Sequence, residues 1–587
     1  MPRSSNDLPV GDAGPAAAGA GKAVGEALLE VLVAAGVREF FGVPGAGMTP
    51  LLGAVDAQPS VRYVGVRHEF AAATMAAAIY QSTGRVAVCL GEQGPGALNL
   101  ISGLGVARNN NLAVVALTVS GPSASPYGSG ALMELDALLA SRAVTKWQHA
   151  VRRPDDAVPA LREALRQATS GRPGPVHLDI PREALRGRIL SAPGGTGSEP
   201  APEVAPIDRA QLAGVVRLLL SAERPLVVAG GGAAHAHAED VLGQIADHLG
   251  AVTTSTQLGI GVMPSDGPLF AGHGGVIAGP ALIRAAREAD VVLAVGCRFS
   301  SWWWQDAQPL VRDATLVHVD TDPELVARSG AGGGYGLLGD ARVVLEQVWE
   351  ALRFQPRQPP GAWAEQVRAE FVTHRARLDV LADDRPGGDS PSDDTAMAAH
   401  PAALARQLGE LIADDDLVVL DGGHTAFWSN DFTPAVQPRT VVHEPGMGHL
   451  GFAMPCANAL ALAHPHRRVL TITGDGAFGF SVAELDTARR LGLRTITVIH
   501  NNALWGIISV AQRRAGFSMG TDLSGTDYAA VAAGFGCVGI RVENLDDLAS
   551  AFGEARSSHL PVVLDVRVRF EPHPMLADFG RTTEAPS

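Results

Sequence analysis

The 587-residue chain carries 61 acidic residues against 46 Lys and Arg, a formal net charge of −15, and 46% of it is hydrophobic. That length exceeds one hydrophobic core and suits three or four domains of about 150 residues each. The acidic balance, with no Lys/Arg-rich run, argues against a nucleic-acid or anionic-membrane partner, and 68 glycines with 39 prolines stay below the ~25–30% of a disordered chain.

Charged residues make up only 18% of the chain, below the ~25% of an average soluble domain, so part of the surface is expected to be covered by other subunits. Cys89, Cys297, Cys456 and Cys537 lie far apart and form no CxxC or Cys/His cluster, which points to a reducing compartment and away from zinc. No apolar run reaches the roughly 18 residues of a membrane span. Residues 1–22 are rich in Gly, Ala, Pro and Ser without a continuous apolar stretch, and are expected to be a flexible tail. A cytoplasmic protein is expected.

In chain order, β-branched runs at 61–66 and 86–90 alternate with helical stretches at 71–80 and 97–107. Strand–helix alternation of this kind predicts a parallel sheet covered on both faces. This first unit spans 23–190, and the Pro/Gly/Ser-rich stretch 191–206 reads as a linker. A second unit, 207–354, predicts strands at 226–229, 291–295 and 316–319, a Gly230-Gly-Gly232 turn and a helix at 238–249. Residues 355–400 mix Pro-Arg, Gly-Gly-Asp-Ser and Asp-Asp and read as another linker. A last unit, 401–570, predicts strands at 417–420, 469–473, 495–499 and 562–566, with a helix at 482–491. The fold class expected is therefore α/β: three consecutive doubly wound parallel-sheet domains.

The chemistry concentrates in the last unit. Gly474-Asp475-Gly476 ends one predicted strand, and Asn501-Asn502 ends the next. Ligands of open α/β sheets bind at the carboxyl ends of strands. Asp475 and Asn502 offer hard oxygen ligands of the kind Mg²⁺ takes in ones or twos, leaving the rest of its octahedron to phosphate oxygens. The flanking glycines let the backbone approach those phosphates, and a helix N-terminus follows. Either motif alone is an ordinary strand-end turn. Together, with Asp475 and Asn502 27 residues apart, they resemble the diphosphate-binding motif of thiamine-diphosphate enzymes.

That resemblance extends over about 25–570 and is nearest the acetohydroxyacid (acetolactate) synthase branch. It makes the three units pyrimidine-binding, central and diphosphate-binding domains. In Arg67-His68-Glu69 it implies that Glu69 is the catalytic carboxyl group set against the cofactor's aminopyrimidine; by itself Glu69 reads first as a first-turn carboxylate on a helix dipole. Gly94, Pro95 and Asn99 match the family's Gly-Pro-Gly-x-x-Asn loop. In Gly446-Met-Gly-His-Leu-Gly, Leu450 matches the apolar wedge that keeps the cofactor bent, and Gly448 lies against the pyrimidine. His424, Thr425, Gly474, Gly476 and Ala477 fall at the diphosphate, and Leu504 is expected to give Mg²⁺ its backbone carbonyl. The family pairs the first domain of one subunit with the third of another, so a homodimer is the expected minimum and a homotetramer an extension of it.

Three positions depart from the synthase pattern. Trp302 stands where those enzymes hold an acceptor-binding Arg, so a carboxylate-gripping fork gives way to an aromatic surface; a tryptophan packing cluster is the plain alternative. Met133 replaces a Gln near the reacting carbon and Ala511 replaces a pocket-narrowing Trp, whereas Lys146 is kept. These changes point away from the standard branched-chain enzyme and put FAD in the central domain in doubt. His449, beside the wedge, reads either as a proton relay or as a hydrogen-bonded pocket histidine. The expected activity is decarboxylation of a 2-oxo acid with transfer of the acyl fragment to an acceptor. A simple decarboxylase, a non-catalytic cofactor-binding paralogue and a CoA-ester lyase are the alternatives.

Overall fold

The computed structural model describes residues 21–121, 128, 130–190, 206–275, 278–300, 303–305, 308–383 and 398–578. Tail residues 1–20, linker residues 191–205 and 384–397, and Trp302 lie outside them.

Three six-stranded parallel sheets follow one another along the chain. The first runs across in the order Arg62–Gly65, Glu39–Gly42, Ala87–Gly91, Val114–Ser120, Val176–Pro181, Trp147–Ala150. The second runs Phe270–His273, Val252–Ser255, Pro225–Ala229, Val291–Val295, Thr315–Asp320, Tyr335–Leu338. The third runs Val441–His443, Leu417–Leu420, Val469–Gly474, Thr495–Asn501, Val562–Arg567, Val538–Val542. Central strands such as Val-Val-Leu-Ala-Val at Val291–Val295 are buried throughout, as a strand covered on both faces must be.

In each sheet the chain builds outward to one edge and then returns to build the other. The crevice at that reversal opens at the carboxyl ends of two inner strands. In the third sheet these are Leu417–Leu420 and Val469–Gly474, which pair from Leu417 with Val469 to Leu420 with Ile472. The motif Gly474-Asp475-Gly476 therefore stands at the mouth of the crevice.

The first and third sheets share a core. Helix Glu69–Thr83 is buried over Glu69 to Tyr80 and packs on helix Ala453–Ala463. Both are rich in alanine, which lets the two backbones come close. A helix buried all round shows little amphipathic pattern, and one hydrophobic cluster runs from Ala71 and Met75 across to Cys456 and Leu460.

The stretch 355–400, expected to be a linker, instead contains the 21-residue helix Ala362–Ala382, which packs against helices Pro280–Glu288 and Pro401–Leu411. Only Ala364, Val367, Leu378 and Ala382 of it are buried, so its apolar stripe is too thin to stand out between Pro- and Gly-rich ends. Lys22, placed in the tail, belongs to a short strand: Lys22–Ala23 pairs antiparallel with Arg188–Ile189, closing the first unit on its own end.

Candidate active site

Helix His424–Phe432 starts directly after Gly422-Gly423, and Gly423 takes a left-handed backbone at φ +94°. Helix Asp475–Gly479 starts directly after strand Val469–Gly474. Their N-termini face a cavity of about 330 Å³. Ten of the residues expected at the cofactor line it: His424, Thr425, Gly448, Leu450, Gly474, Asp475, Gly476, Ala477, Asn502 and Leu504. Backbone N–H groups at helix N-termini, with small residues around them, make a cradle for phosphate. Gly448, at φ +61°, has nothing within 4 Å of where a Cβ would stand, so space is left beside it for a ring. Leu450 Cδ2 comes within 3.1 Å of the corresponding point on Gly422, so its side chain overhangs the phosphate cradle.

Asp475 is buried, its Oδ2 has no hydrogen-bond partner, and burial pushes its pKa up to about 6. An orphaned buried carboxylate oxygen is costly unless a cation meets it, so the donor set fits a hard divalent ion. Asn502 turns its Oδ1 onto Leu504 N at 3.1 Å, and Ala503 between them has φ +55°. No cluster of three or more His, Cys, Asp or Glu able to hold a metal is present among the described residues. The site therefore suits an ion that completes its shell with phosphate oxygens better than an all-protein cage. Burial lowers the pKa of His424 to about 3, leaving a neutral ring whose Nε2 accepts from His573 N at 3.2 Å.

The first sheet supplies a second group of residues. Helix Glu69–Thr83 begins at Glu69 because the His68 side chain caps it, its Nδ1 accepting from Phe70 N. Asn99 Nδ2 donates to Glu69 Oε2 at 2.9 Å, joining the two elements expected to face the aminopyrimidine. Met133, at φ +58°, packs against Gly94 so closely that a Cβ on Gly94 would come within 2.9 Å of its own Cβ. The two groups touch where Phe70, next to Glu69, stacks on His449, next to Leu450, with ring centroids 4.1 Å apart.

Other expected site residues lie elsewhere. Lys146 Nζ donates to Ser170 O, near Arg108 and Arg166, and lines neither this cavity nor the central one. Ala511 is exposed on helix Gly506–Arg514, whose Ile507 and Ile508 reach the cavity instead. Of the three tryptophans, Trp303 is buried against Phe299 and Gly274 in the central core, as a packing residue would be. At the reversal point of the central sheet, a further cavity of about 410 Å³ is lined by Gly231, Gly232, Arg298, Trp303 and Asp320.

Sequence reasoning missed two buried carboxylates that hold the loops. Asp421 accepts from Thr473 Oγ1 (2.8 Å), Gly422 N (2.8 Å) and Gly451 N (3.0 Å). It thus ties both crevice strands to the loop carrying Leu450. Glu444 accepts from Met447 N (2.6 Å), His449 N (3.1 Å) and Asn110 Nδ2 (3.0 Å). Burial pushes both pKa values up to about 6. An acidic residue directly after a buried strand was the available signal.

Three family models match the chain in order: the N-terminal TPP-binding domain of thiamine pyrophosphate enzymes over 22–140, the central domain over 212–348 and the C-terminal TPP-binding domain over 421–566. The chain belongs to the thiamine pyrophosphate (diphosphate) enzyme family. Within it the chain is acetolactate synthase-like. It is 29% identical over 581 residues to the probable acetolactate synthase large subunit of Methanocaldococcus jannaschii, covering 95% of this chain and 94% of that protein. It is 30% identical to the acetolactate synthase large subunit of Parasynechococcus marenigrum, covering 92% and 87% of the two chains. To the acetolactate synthase of Mycobacterium leprae it is 29% identical over 90% and 84%.

Proposed function

We propose that this enzyme decarboxylates a 2-oxo acid and joins the acyl fragment to an acceptor other than that of the standard branched-chain synthase. The observation that carries the reading is the buried Asp475 carboxylate, one oxygen of it unpartnered, beside two helix N-termini in a cavity overhung by Leu450. Asp475, Asn502 and the Leu504 carbonyl would hold Mg²⁺; His424, Thr425, Gly474, Gly476 and Ala477 would hold the diphosphate. The cofactor supplies the electron sink for loss of carbon dioxide.

The chain's own residues do the rest. Glu69, held by Asn99, would hold the proton on the aminopyrimidine side, and Leu450 would supply the apolar surface against the cofactor. The departures from the synthase pattern favour a different acceptor: Trp302 stands where the carboxylate-binding Arg would be and Met133 where a Gln would be, while Ala511, in place of a Trp, lies exposed outside the cavity and leaves its wall to Ile507 and Ile508. FAD is left out of this reading for the same reason, and the visible absorption spectrum of the purified protein tests that omission. A homodimer, extending to a tetramer, fits the exposed Leu98, Met447, Phe480 and Met519 on segments flanking the site. Four unpaired, buried cysteines fit a cytoplasmic protein.

The test is carbon dioxide release from a panel of 2-oxo acids with thiamine diphosphate and Mg²⁺, with and without added aldehydes and ketones, the products resolved by mass. A joined product establishes the carboligase and names its donor. Free aldehyde alone makes the protein a decarboxylase, and silence across the panel points to an unusual donor or to a non-catalytic paralogue. A dependence on added CoA would move the assignment to the CoA-ester lyases.

A further inference from the structure

A third cavity, of about 240 Å³, lies away from the cofactor between the central and third sheets. Edge strand Phe270–His273, helix Ala362–Ala382 and the C-terminal end of helix His424–Phe432 enclose it. Its apolar wall is aromatic: Phe270 meets Phe371 edge-on at 5.9 Å, and Phe432 lies under the Arg375 guanidinium at 4.8 Å. That guanidinium lines the cavity and makes no ion pair among the described residues. His273 also lines it, 92% buried by its 8% exposure, with its Nδ1 lacking any partner. Asp431 also lines it, bound to His573 Nε2 at 2.9 Å.

We propose that this cavity is a binding site for a small monocarboxylic acid with a compact aromatic or branched hydrocarbon body. A fixed guanidinium fork matches a carboxylate in two parallel hydrogen bonds, and the unpartnered imidazole nitrogen of His273 offers a further polar contact that burial otherwise leaves unmet. The three phenyl rings take the hydrocarbon. The volume falls below the roughly 300–1,000 Å³ of sites for drug-sized ligands, which excludes a nucleotide. A phosphate dianion is disfavoured because one Arg would face two negative charges with the Asp431 carboxylate in the same cavity wall. A divalent cation is disfavoured by the lone carboxylate.

The site is tested on the full-length enzyme loaded with thiamine diphosphate and Mg²⁺, so that the cofactor cavity is filled. Benzoate is titrated calorimetrically against the wild type, Arg375→Met and Arg375→Lys, with melting temperature and carbon dioxide release as folding controls. Saturable binding at one benzoate per chain is expected. It should weaken at least tenfold in Arg375→Met and less in Arg375→Lys, which keeps the charge and loses the fork. Benzamide and inorganic phosphate should bind at least tenfold more weakly than benzoate. The proposal is overturned if benzoate does not bind, if it binds the wild type and both variants alike, or if phosphate binds as well as benzoate. If Arg375→Met does not fold, the Arg375→Lys comparison and the benzamide contrast decide alone.

Discussion

The carboxylate of Glu484, on the third domain, accepts the backbone N–H of Arg67, two residues before Glu69, at 3.0 Å. Its second oxygen accepts from Thr487 Oγ1 at 2.6 Å. Arg490, one turn further along the same helix, donates to Gly65 O at 2.6 Å and pairs with Asp486. The helix Glu484–Arg490 thus grips the loop Gly65–His68 by its backbone, and that loop sets where Glu69 begins its helix.

Glu69→Ala is expected to abolish exchange of the cofactor C2 proton while the cofactor still binds. Glu484→Gln should slow that exchange by about tenfold, because the amide oxygen keeps only a neutral hydrogen bond to the Arg67 N–H in place of a carboxylate's charge-assisted one, a loss of about 1–1.5 kcal/mol. The reading is the exchange rate by proton NMR, with the thiamine diphosphate Kd unchanged. Unaltered exchange in Glu484→Gln would reduce that residue to a packing role; retained exchange in Glu69→Ala would remove Glu69 from catalysis.

Asp475 gives a prediction of opposite signs in one variant. Its buried, unpartnered oxygen costs the cofactor-free fold about 1–3 kcal/mol. Asp475→Asn should therefore melt at a higher temperature than the wild type when free of cofactor and metal. With both added, the wild type should gain stability and the variant little, its thiamine diphosphate Kd rising more than tenfold. Equal stabilisation of the two proteins by cofactor and Mg²⁺ would show that Asp475 is no metal ligand.

Glu444 makes the loop that carries His449 and Leu450 sensitive to acid and base. Its folded pKa, about 6, lies above the ordinary 4.5. The folded state therefore holds the proton more tightly, and the associated stability is present below pH ~4.5 and lost as pH rises through ~6. The shift corresponds to about 2 kcal/mol. Glu444→Gln should flatten that fall, seen as a smaller difference in melting temperature between pH 4.5 and pH 7 than in the wild type. An unchanged difference would assign the fall to other groups, Asp421 first.

The inner strands were readable because buried parallel strands are short, continuous apolar runs rich in β-branched residues: 291–295 of the central sheet and 417–420 of the third are where the pattern puts them. Gly474-Asp475-Gly476 and Asn501-Asn502 were readable because they sit at strand ends, where the topology makes a crevice. Helix Ala362–Ala382 was hidden because it buries four residues and so shows almost no stripe. Asp421, Glu444 and Glu484 were hidden for another reason. Asp421 and Glu484 act by accepting backbone N–H groups from segments distant in sequence, Gly451 across 30 residues and Arg67 across 417, whereas Glu444 holds its own loop through Met447 N and His449 N and is marked only by its place after a buried strand. Trp302 lies outside the described residues, so its part in the pocket rests on the sequence alone.

His449 offers the sharpest test of how the reaction ends. Its Nδ1 lies 2.8 Å from the Leu450 carbonyl, which only accepts, so Nδ1 carries the proton and Nε2 is the free nitrogen. Stacking on Phe70 fixes the ring plane, and burial holds its pKa below 6.5, so near neutral pH the ring is uncharged. A neutral, fixed imidazole beside the wedge can pass a proton between solvent and the reacting fragment. If it supplies the proton that frees an aldehyde, His449→Leu should cut aldehyde release by about 10² and raise the ratio of joined product to aldehyde. Cofactor affinity should stay unchanged, and the acidic limb of the pH–rate profile should disappear. His449→Gln, which keeps polarity but cannot relay a proton, should behave as the Leu variant does. If the product ratio and the acidic limb survive both substitutions, the ring serves only to pack Phe70 against the wedge, and the proton comes from another group.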